Sequence, residues 1–203
     1  MELYIIRHGE TDFNRRGIVQ GRGVNSDLND LGISQAKSFY KAYHHIEFDK
    51  VITSTLKRTH QTVQSFIEKG IPWEQFDGLD ALDWGVNEGR EATHEMKQEF
   101  HQLTKSWMEG HIHLKFPGGE SPIEVNARQK IVLQNLISQH ENLQNVLMCI
   151  HGRALRLLLC ELLQIPLSNM DNFPHSNVSL YRLKYENGKF EMIDFNNTDH
   201  FHA

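Results

Sequence analysis

The sequence has little cysteine, no long hydrophobic run and no excess of positive charge. Its only cysteines, Cys149 and Cys160, both lie in apolar segments. We expect two free, buried thiols in a reducing compartment; a disulfide between them is chemically possible but fits their apolar surroundings less well. No apolar stretch reaches the roughly 20 residues that a membrane-spanning helix needs. The composition therefore argues against a disulfide framework and against a transmembrane protein.

The charge balance argues against a polyanionic partner. The chain has 21 lysines and arginines and 26 aspartates and glutamates, which give a formal net charge of -5. Neither nucleic acid nor a membrane surface is therefore expected as a partner. An anionic ligand must be held by a local cluster of positive groups, because the overall charge does not attract it.

Length and composition are those of an ordinary globular protein. Hydrophobic residues make up 39% and charged residues 23%, and we expect residues 1–203 to form a single domain. Residues 1–6 are too short for a secretory signal, and Arg7 and Glu10 follow them at once. These features predict a cytoplasmic protein, and none of them indicates an oligomeric state.

Short apolar runs alternate with longer helical patterns. The runs at residues 3–6, 51–52 and 146–150 are typical of strands buried on both faces of a sheet. Helical periodicity is present at residues 31–43, 56–68, 91–109, 121–140 and 154–164, and strands at 178–185 and 189–195 flank the hairpin signal Asn187-Gly188. This order predicts an α/β fold, a three-layer sandwich with a mixed, mainly parallel sheet flanked by helices. The best-marked helix start is Ser121-Pro122-Ile123-Glu124, which combines a capping box with proline at the first helical position.

Two histidines follow predicted strands in the same local context. Arg7-His8-Gly9 comes directly after the strand at 3–6, and His151-Gly152 comes after the strand at 146–150. In an open α/β sheet, residues just beyond the carboxyl ends of the strands line the binding crevice. The glycine after each histidine lets backbone amides approach a ligand closely. We therefore expect His8, His151 and Gly152 to face one binding site, although either histidine taken alone is also compatible with a structural role.

Arginines near these strand ends can supply the local positive charge. Arg7 precedes His8, and Arg58 lies in the helix that follows the strand at 51–52. Guanidinium groups hold anions through paired hydrogen bonds, and the Asn14 amide can add a further donor. The pattern predicts a phosphate held by Arg7 and Arg58, with His8 placed for in-line attack on phosphorus; a surface ion pair is the alternative for Arg58.

Five segments resemble, in the right order, the landmarks of the histidine phosphatase superfamily, the group that includes cofactor-dependent phosphoglycerate mutases. They are Arg7-His8-Gly9-Glu10-Thr11, Leu28-Asn29-Asp30-Leu31-Gly32-Ile33-Ser34-Gln35-Ala36, Ser54-Thr55-Leu56-Lys57-Arg58-Thr59-His60-Gln61-Thr62, Gly118-Gly119-Glu120-Ser121 and His151-Gly152. The first segment alone is a weak signal, whereas five landmarks along nearly the whole chain are a specific one.

The resemblance implies a role for each matched residue. His8 is expected to be the nucleophile that becomes transiently phosphorylated. Arg7, Arg58 and His151 are expected to bind the phosphoryl group and to stabilise charge in the transition state. No metal and no organic cofactor is implied. The implied substrate is a small phosphorylated metabolite.

The sequence departs from the family pattern at the proton donor. Most relatives have a glutamate just upstream of a Gly-x-x-Glu-Gly element, and here Ala81 falls at that position, before Gly85-Val86-Asn87-Glu88-Gly89. Asp80 or Asp83 can take over from an adjacent position, and we prefer this interpretation because the two aspartates bracket Ala81. The alternatives are a reoriented Glu88 or another nearby carboxylate, a slow enzyme restricted to good leaving groups, and an engineered alanine. Asp80, Asp83 and Glu88 are also compatible with an ordinary solvated acidic loop. General acid assistance is worth roughly 10²–10⁴-fold in rate.

The favoured hypothesis is phosphomonoester hydrolysis through a phosphohistidine. Phosphoglycerate mutase-type phosphoryl transfer is the rival within the family, and the lack of a long lid insertion argues against it. A non-catalytic module that binds a phosphorylated ligand is the other alternative, because alanine cannot transfer a proton. We expect residues 84–116 to cover the pocket and to set its specificity.

Overall fold

A six-stranded sheet forms the centre of the protein in the computed structural model, which describes residues 1–202 apart from the side chain of His140. The strands are β1 (Glu2–Arg7), β2 (Lys50–Thr53), β3 (Trp73–Gln75), β4 (Asn145–Ile150), β5 (Leu180–Glu186) and β6 (Lys189–Asn197). The helices are α1 (Asp12–Arg16), α2 (Asp30–Tyr43), α3 (Lys57–Thr62), α4 (Gln64–Glu68), α5 (His94–Met108), α6 (Pro122–Ser138) and α7 (Gly152–Leu162).

The sheet is mixed and mainly parallel, with the strand order β3-β2-β4-β1-β5-β6. β1 and β2 both pair in parallel with β4, and β3 pairs in parallel with β2. β5 is antiparallel to β1 and forms the predicted hairpin with β6. The predicted fold class is confirmed. The carboxyl ends of β1, β2 and β4 consequently lie side by side at one edge of the sheet.

Successive side chains of the central strands point into two hydrophobic cores, one on each face of the sheet, and helices cover both faces. Leu3 and Ile5 of β1 pack in a cluster that contains residues of α6 and α7, whereas Tyr4 and Ile6 pack in a second cluster with Phe39 of α2. The four β1 side chains are at most 3% exposed. Burial of this kind stabilises a fold by roughly 25 cal/mol per Å² of apolar surface. It holds the strand ends that carry the candidate site in fixed positions.

Both cysteines are free and buried, as predicted, with Cys149 in β4 and Cys160 in α7. Burial raises the pKa of both thiols, that of Cys160 to about 12. Thiols in this state are protonated near neutral pH and poor nucleophiles. Within residues 1–202, no helix combines the length and the apolarity needed to cross a lipid bilayer.

The helix predicted at residues 56–68 is interrupted, so the prediction of one continuous helix is wrong. α3 ends at Thr62, and α4 begins two residues later, with the buried Val63 between them at φ -108° and ψ 14°. The Thr62 hydroxyl donates a 2.6 Å hydrogen bond to the Arg58 carbonyl, four residues earlier, a bond that commonly bends helices. The same oxygen accepts a 2.9 Å hydrogen bond from the Gly9 amide. The Thr62 hydroxyl at this break therefore connects the helix that carries Arg58 to the loop after β1.

Two short elements are missing from the prediction, and one helix begins later than predicted. α1 has five residues and β3 has three exposed residues, so both are too short to show a periodic pattern. α5 begins three residues later than the predicted start at residue 91. The reason is that the Thr93 side chain accepts a hydrogen bond from the Met96 amide and caps the helix there.

α6 begins with the predicted capping box. The Ser121 side chain accepts a hydrogen bond from the Glu124 amide, and the Glu124 carboxylate accepts one from the Ser121 amide at 2.8 Å. Pro122 occupies the first helical position, where a missing amide proton has no consequence. The cap fixes the start of the helix that carries Arg128, a residue that contacts the loop around Ala81.

Replacing Ser121 with alanine is expected to lower the free energy of unfolding by about 1 kcal/mol, because an amide at the start of α6 loses its acceptor. Ser138→Ala, at the exposed end of the same helix, is the matched control and is expected to change it by less than about 0.5 kcal/mol. Urea unfolding followed by circular dichroism measures both variants. An unchanged Ser121→Ala midpoint would contradict a stabilising role for the cap.

Candidate active site

A cavity of about 230 Å³ opens at the carboxyl edge of the sheet. Its lining residues come from the ends of β1 and β4, from the helices α1, α3, α5 and α7 and from nearby loops. Its lining residues are Arg7, His8, Asn14, Gln20, Arg58, Ala81, Leu82, Trp84, Phe100, His151, Gly152, Arg153 and His175. The structure thus brings together the predicted residues Arg7, His8, Asn14, Arg58, His151 and Gly152.

His8 is held by its backbone and by one ring nitrogen. Its amide donates to the Ile150 carbonyl of β4 at 3.0 Å, and its carbonyl accepts a 2.9 Å hydrogen bond from the Asn177 side chain. The His8 Nδ1 lies 2.7 Å from the Gly9 carbonyl oxygen. A carbonyl can only accept a hydrogen bond, so Nδ1 carries the proton, and a neutral ring has its lone pair on Nε2.

The surroundings of His8 keep its ring neutral. Burial lowers the pKa of His8 well below 6.5, and the positive charges of Arg58 and Arg7 lower it further. Burial and the Arg58 charge also lower the pKa of His151, whose ring centroid lies 5.2 Å from that of His8. Because protonated imidazole has no free lone pair, this depression favours the form of His8 that can attack phosphorus.

Of the two predicted arginines, Arg58 is buried and Arg7 is half-buried, and neither has a carboxylate partner in the described residues. Arg58, 1% exposed, donates to the carbonyls of Val24 at 2.6 Å and Gly21 at 3.3 Å, and Arg7 donates to Nδ1 of His175 at 3.3 Å. Among residues 1–202, no carboxylate oxygen lies within 4.0 Å of either guanidinium. Burial lowers the pKa of each arginine to about 10, which leaves both charged at neutral pH.

Three buried nitrogen atoms of this cavity have no hydrogen-bond partner in the described part of the chain. They are Nε of Arg7, Nε of Arg58 and Nδ1 of His151. The other ring nitrogen of His151 lies 2.8 Å from the Ser54 hydroxyl at the end of β2. Unpaired buried donors are destabilising unless a ligand satisfies them. The side chains that line the cavity therefore combine positive charge with unpaired nitrogen atoms, and this combination suits an oxyanion.

Asn14 is oriented as a donor towards the cavity. Its amide oxygen accepts from the Thr11 amide at 3.3 Å and from the Asn177 side chain at 3.4 Å. Its amino group remains available for a ligand. Gln20, which the sequence did not single out, also lines the cavity and donates to the Thr11 hydroxyl at 2.8 Å.

Neither of the predicted replacement acids lines the cavity. The Asp80 carboxylate accepts hydrogen bonds from the Thr55 amide at 2.9 Å and hydroxyl at 2.8 Å, and it lies 3.3 Å from the Arg22 guanidinium. The Asp83 carboxylate accepts from the Gly85 amide at 2.7 Å. Asp80 is thus held by Thr55 and Arg22, and Asp83 by the backbone of its own loop, so the structure does not bring either side chain to His8.

Ala81 lines the cavity itself, so a longer side chain at this position would extend into it. It is 3% exposed, and its carbonyl accepts a 3.0 Å hydrogen bond from Arg128. Arg128 also donates to the carbonyls of Gly78 at 2.8 Å and Asp80 at 3.0 Å, which holds this loop against α6. Glu88 does not line the cavity either, because its carboxylate accepts from backbone amides of other loop residues. In the described residues, no carboxylate side chain lines the cavity.

His175 is the main site residue that the sequence gives no reason to choose. It lies in the irregular segment before β5, which is antiparallel to β1, and its ring accepts the hydrogen bond from Arg7. Burial and the Arg7 charge lower the pKa of His175 to about 3. The ring packs on Gly152, since a Cβ atom there would lie 2.4 Å from its Cε1 atom. Gly152 is thus needed for the close approach of His175.

Comparison with known proteins identifies the family. The model of the histidine phosphatase superfamily (branch 1) matches residues 3–198. The chain belongs to this superfamily, as the resemblance predicts.

Similar proteins in the superfamily have several names. Phosphoserine phosphatase 1 of Hydrogenobacter thermophilus is 28% identical over 201 residues, covering 98% of this chain and 94% of the relative. A protein named "Probable phosphoglycerate mutase GpmB" from Proteus mirabilis is 30% identical over 190 residues, covering 92% of this chain and 86% of the relative. The crystal structure of the α-ribazole phosphatase from Shigella flexneri superposes with a TM-score of 0.85 at 25% identity, covering 97% of this chain and 96% of that one.

The electrostatics of the cavity predict that His8 stays neutral in mildly acidic solution. Its pKa lies well below 6.5 in the folded protein, so lowering the pH from 7 to 5.5 is expected to leave the ring neutral with the proton on Nδ1. In the unfolded chain the same ring should titrate near 6.5. Side-chain nitrogen NMR of labelled histidine, with and without urea, measures both states. A His8 imidazolium at pH 5.5 in the folded protein would contradict the argument.

Proposed function

We propose that this protein hydrolyses small phosphomonoesters through a phosphohistidine on His8. The observation that carries the proposal is the cavity that a neutral histidine, with its lone pair on Nε2, shares with one buried and one half-buried arginine, neither of which has a carboxylate partner within residues 1–202. Membership of the superfamily and relatives named as phosphatases support the same reaction. The free, buried cysteines support a cytoplasmic location.

In the first step, the phosphoryl oxygens bind to Arg7, Arg58 and His151, with Asn14 as a further donor. The Nε2 lone pair of His8 forms a bond to phosphorus as the bond from phosphorus to the alcohol oxygen breaks. The ring becomes positive in the phosphohistidine, and the Nδ1 hydrogen bond to the Gly9 carbonyl stabilises that charge. The arginines and His151 stabilise the charge on the phosphoryl oxygens throughout.

In the second step, water attacks the phosphohistidine and releases inorganic phosphate and neutral His8. The overall reaction consumes one ester and one water and yields an alcohol and phosphate. The departing alkoxide takes its proton from water, because no carboxylate side chain of residues 1–202 lines the cavity. The rate should therefore depend strongly on the acidity of the leaving alcohol.

A mutase-type transfer is the second candidate, since one relative is named as a phosphoglycerate mutase. In that reaction the phosphoryl group returns to an organic acceptor instead of passing to water. The phosphatase interpretation is preferred, because the cavity is open to solvent and water can reach the phosphohistidine. Inorganic phosphate as the product distinguishes hydrolysis from transfer to an acceptor.

Hydrolysis of p-nitrophenyl phosphate tests the proposal. The wild-type protein is expected to release phosphate, and His8→Ala is expected to lose at least about 10³-fold in kcat, because the nucleophile is gone. His45→Ala, which removes an exposed histidine, is the matched control and should retain activity. Wild-type protein without turnover, or an active His8→Ala variant, would contradict the proposal.

Restoring a carboxylate at position 81 is expected to change the leaving-group dependence. Ala81→Glu should increase kcat/KM for alkyl phosphates by about 10²-fold or more and should change that for p-nitrophenyl phosphate much less, because nitrophenolate leaves without a proton. Ala81→Gln, with a side chain of similar size, is the control. Equal gains on both ester classes, or equal effects of Glu and Gln, would contradict the proposed lack of an acid.

A further inference from the structure

A second cavity, of about 240 Å³, lies beside the first. Its walls are apolar and come from the loop before α5, from α5 itself and from the loops that it covers. The apolar lining residues are Val19, Trp84, Ala92, Met96, Phe100 and Phe116. The only polar side chains among the described lining residues are those of Asn87 and Lys97.

The two cavities adjoin at an aromatic pair. Trp84 and Phe100 line both of them, and their ring centroids are 5.2 Å apart at an angle of 53°. A phosphomonoester whose phosphoryl group lies at His8 must extend its alcohol part out of the first cavity. The apolar cavity is therefore within reach of the part of a substrate that the arginines do not hold.

Packing fixes the Trp84 side of the shared wall, whereas Phe100 is 37% exposed. Trp84 is 8% exposed, and its ring centroid lies 6.0 Å from that of Trp107 at an interplanar angle of 29°. The Arg153 guanidinium lies 5.9 Å from the Phe100 ring centroid and 5.6 Å from that of Trp107, which places a cation against the same aromatic group. A preformed wall of this kind binds a rigid ligand with little loss of side-chain freedom.

The apolar side chains that line this second cavity determine which alcohol groups it can bind favourably. A sugar or an amino-acid alcohol would leave hydroxyl, ammonium or carboxylate groups facing apolar side chains without partners, which is unfavourable. Flat aromatic groups stack on Trp and Phe rings and need few hydrogen bonds. An apolar cavity of roughly 150 Å³ admits benzene, so this one has room for a fused ring pair.

We propose that this apolar cavity binds the alcohol part of the substrate, and that the protein selects phosphomonoesters of compact aromatic alcohols. The inference rests on the proposed function for its account of turnover. The part of the inference that concerns binding can be tested without turnover. Met96 and Phe100, four residues apart on α5, line the cavity, and Trp84 and Phe100 form the wall that it shares with the His8 cavity.

The test compares two phosphonates that the enzyme cannot cleave, because carbon replaces the ester oxygen. These are benzylphosphonate and 2-naphthylmethylphosphonate, which differ by one fused ring. Calorimetric titration of the wild-type protein is expected to give at least about tenfold tighter binding of the naphthyl compound, because the added ring is buried against apolar walls. Equal dissociation constants would overturn the proposal.

A matched pair of variants on α5 tests the location. Met96→Asp places a charge in the cavity and is expected to reduce the naphthyl preference to less than about threefold. Gln98→Asp adds the same charge at an exposed position outside the cavity and should retain the preference. A preference that persists in Met96→Asp, or that both variants lose equally, would overturn the assignment to this cavity.

Hydrolysis of phenyl phosphate and 2-naphthyl phosphate by the same preparations separates the two proposals. A lower KM for the naphthyl ester, with release of phosphate, supports both. A naphthyl preference in phosphonate binding with no turnover of either ester contradicts the proposed function and supports the aromatic site. Turnover of both esters with equal KM values, together with equal phosphonate binding, supports the function and overturns the aromatic site.

Discussion

Two guanidinium groups, of the buried Arg58 and the half-buried Arg7, have no carboxylate partner among residues 1–202, and the site depends on this constraint. Arg7 and Arg58 keep their charge close to His8 and His151, and this charge adds to the effect of burial in keeping both rings neutral. Backbone carbonyls, such as that of Val24, and the His175 ring satisfy part of the guanidinium hydrogen bonding. The remaining positive charge is available to an anion. A single arrangement thus supplies both the binding of phosphate and the unprotonated nucleophile.

The fold maintains this arrangement through the sheet edge and a few backbone contacts. The His8 amide is hydrogen-bonded to β4, and the Thr62 hydroxyl connects the loop after β1 to α3. These contacts fix the position of His8 relative to Arg58. Val178 has φ 60°, which is unusual for a β-branched residue, and its amide donates to the Arg7 carbonyl at 3.0 Å. Backbone strain of this kind is found at functional sites, where surrounding packing compensates for roughly 1–3 kcal/mol.

The rule for parallel sheets made the residues at strand ends the most predictable part of the site. His8 and His151 each end a short apolar run, and the rule for parallel sheets places such residues at one edge. Arg58 and Asn14, which were also predicted, lie on α3 and α1, whereas His175 and Ala81 lie in irregular segments, where side-chain direction follows no period. His175 reaches the cavity through the chain path before β5, and Asp80 turns away because Thr55 offers it two donors. Adjacency in the sequence therefore suggested Asp80 or Asp83 as the acid, but neither side chain lines the cavity, which Ala81 alone of the three reaches.

The most direct test of the account is chemical identification of the intermediate. Rapid mixing of the wild-type protein with an aryl phosphate, followed by quenching at alkaline pH, where phosphohistidine survives, allows the modified residue to be located by mass spectrometry. The account predicts one phosphoryl group on Nε2 of His8, formed as fast as alcohol is released and absent from His8→Ala. Alcohol release with no phosphorylated His8, or phosphorylation of another residue, would contradict it.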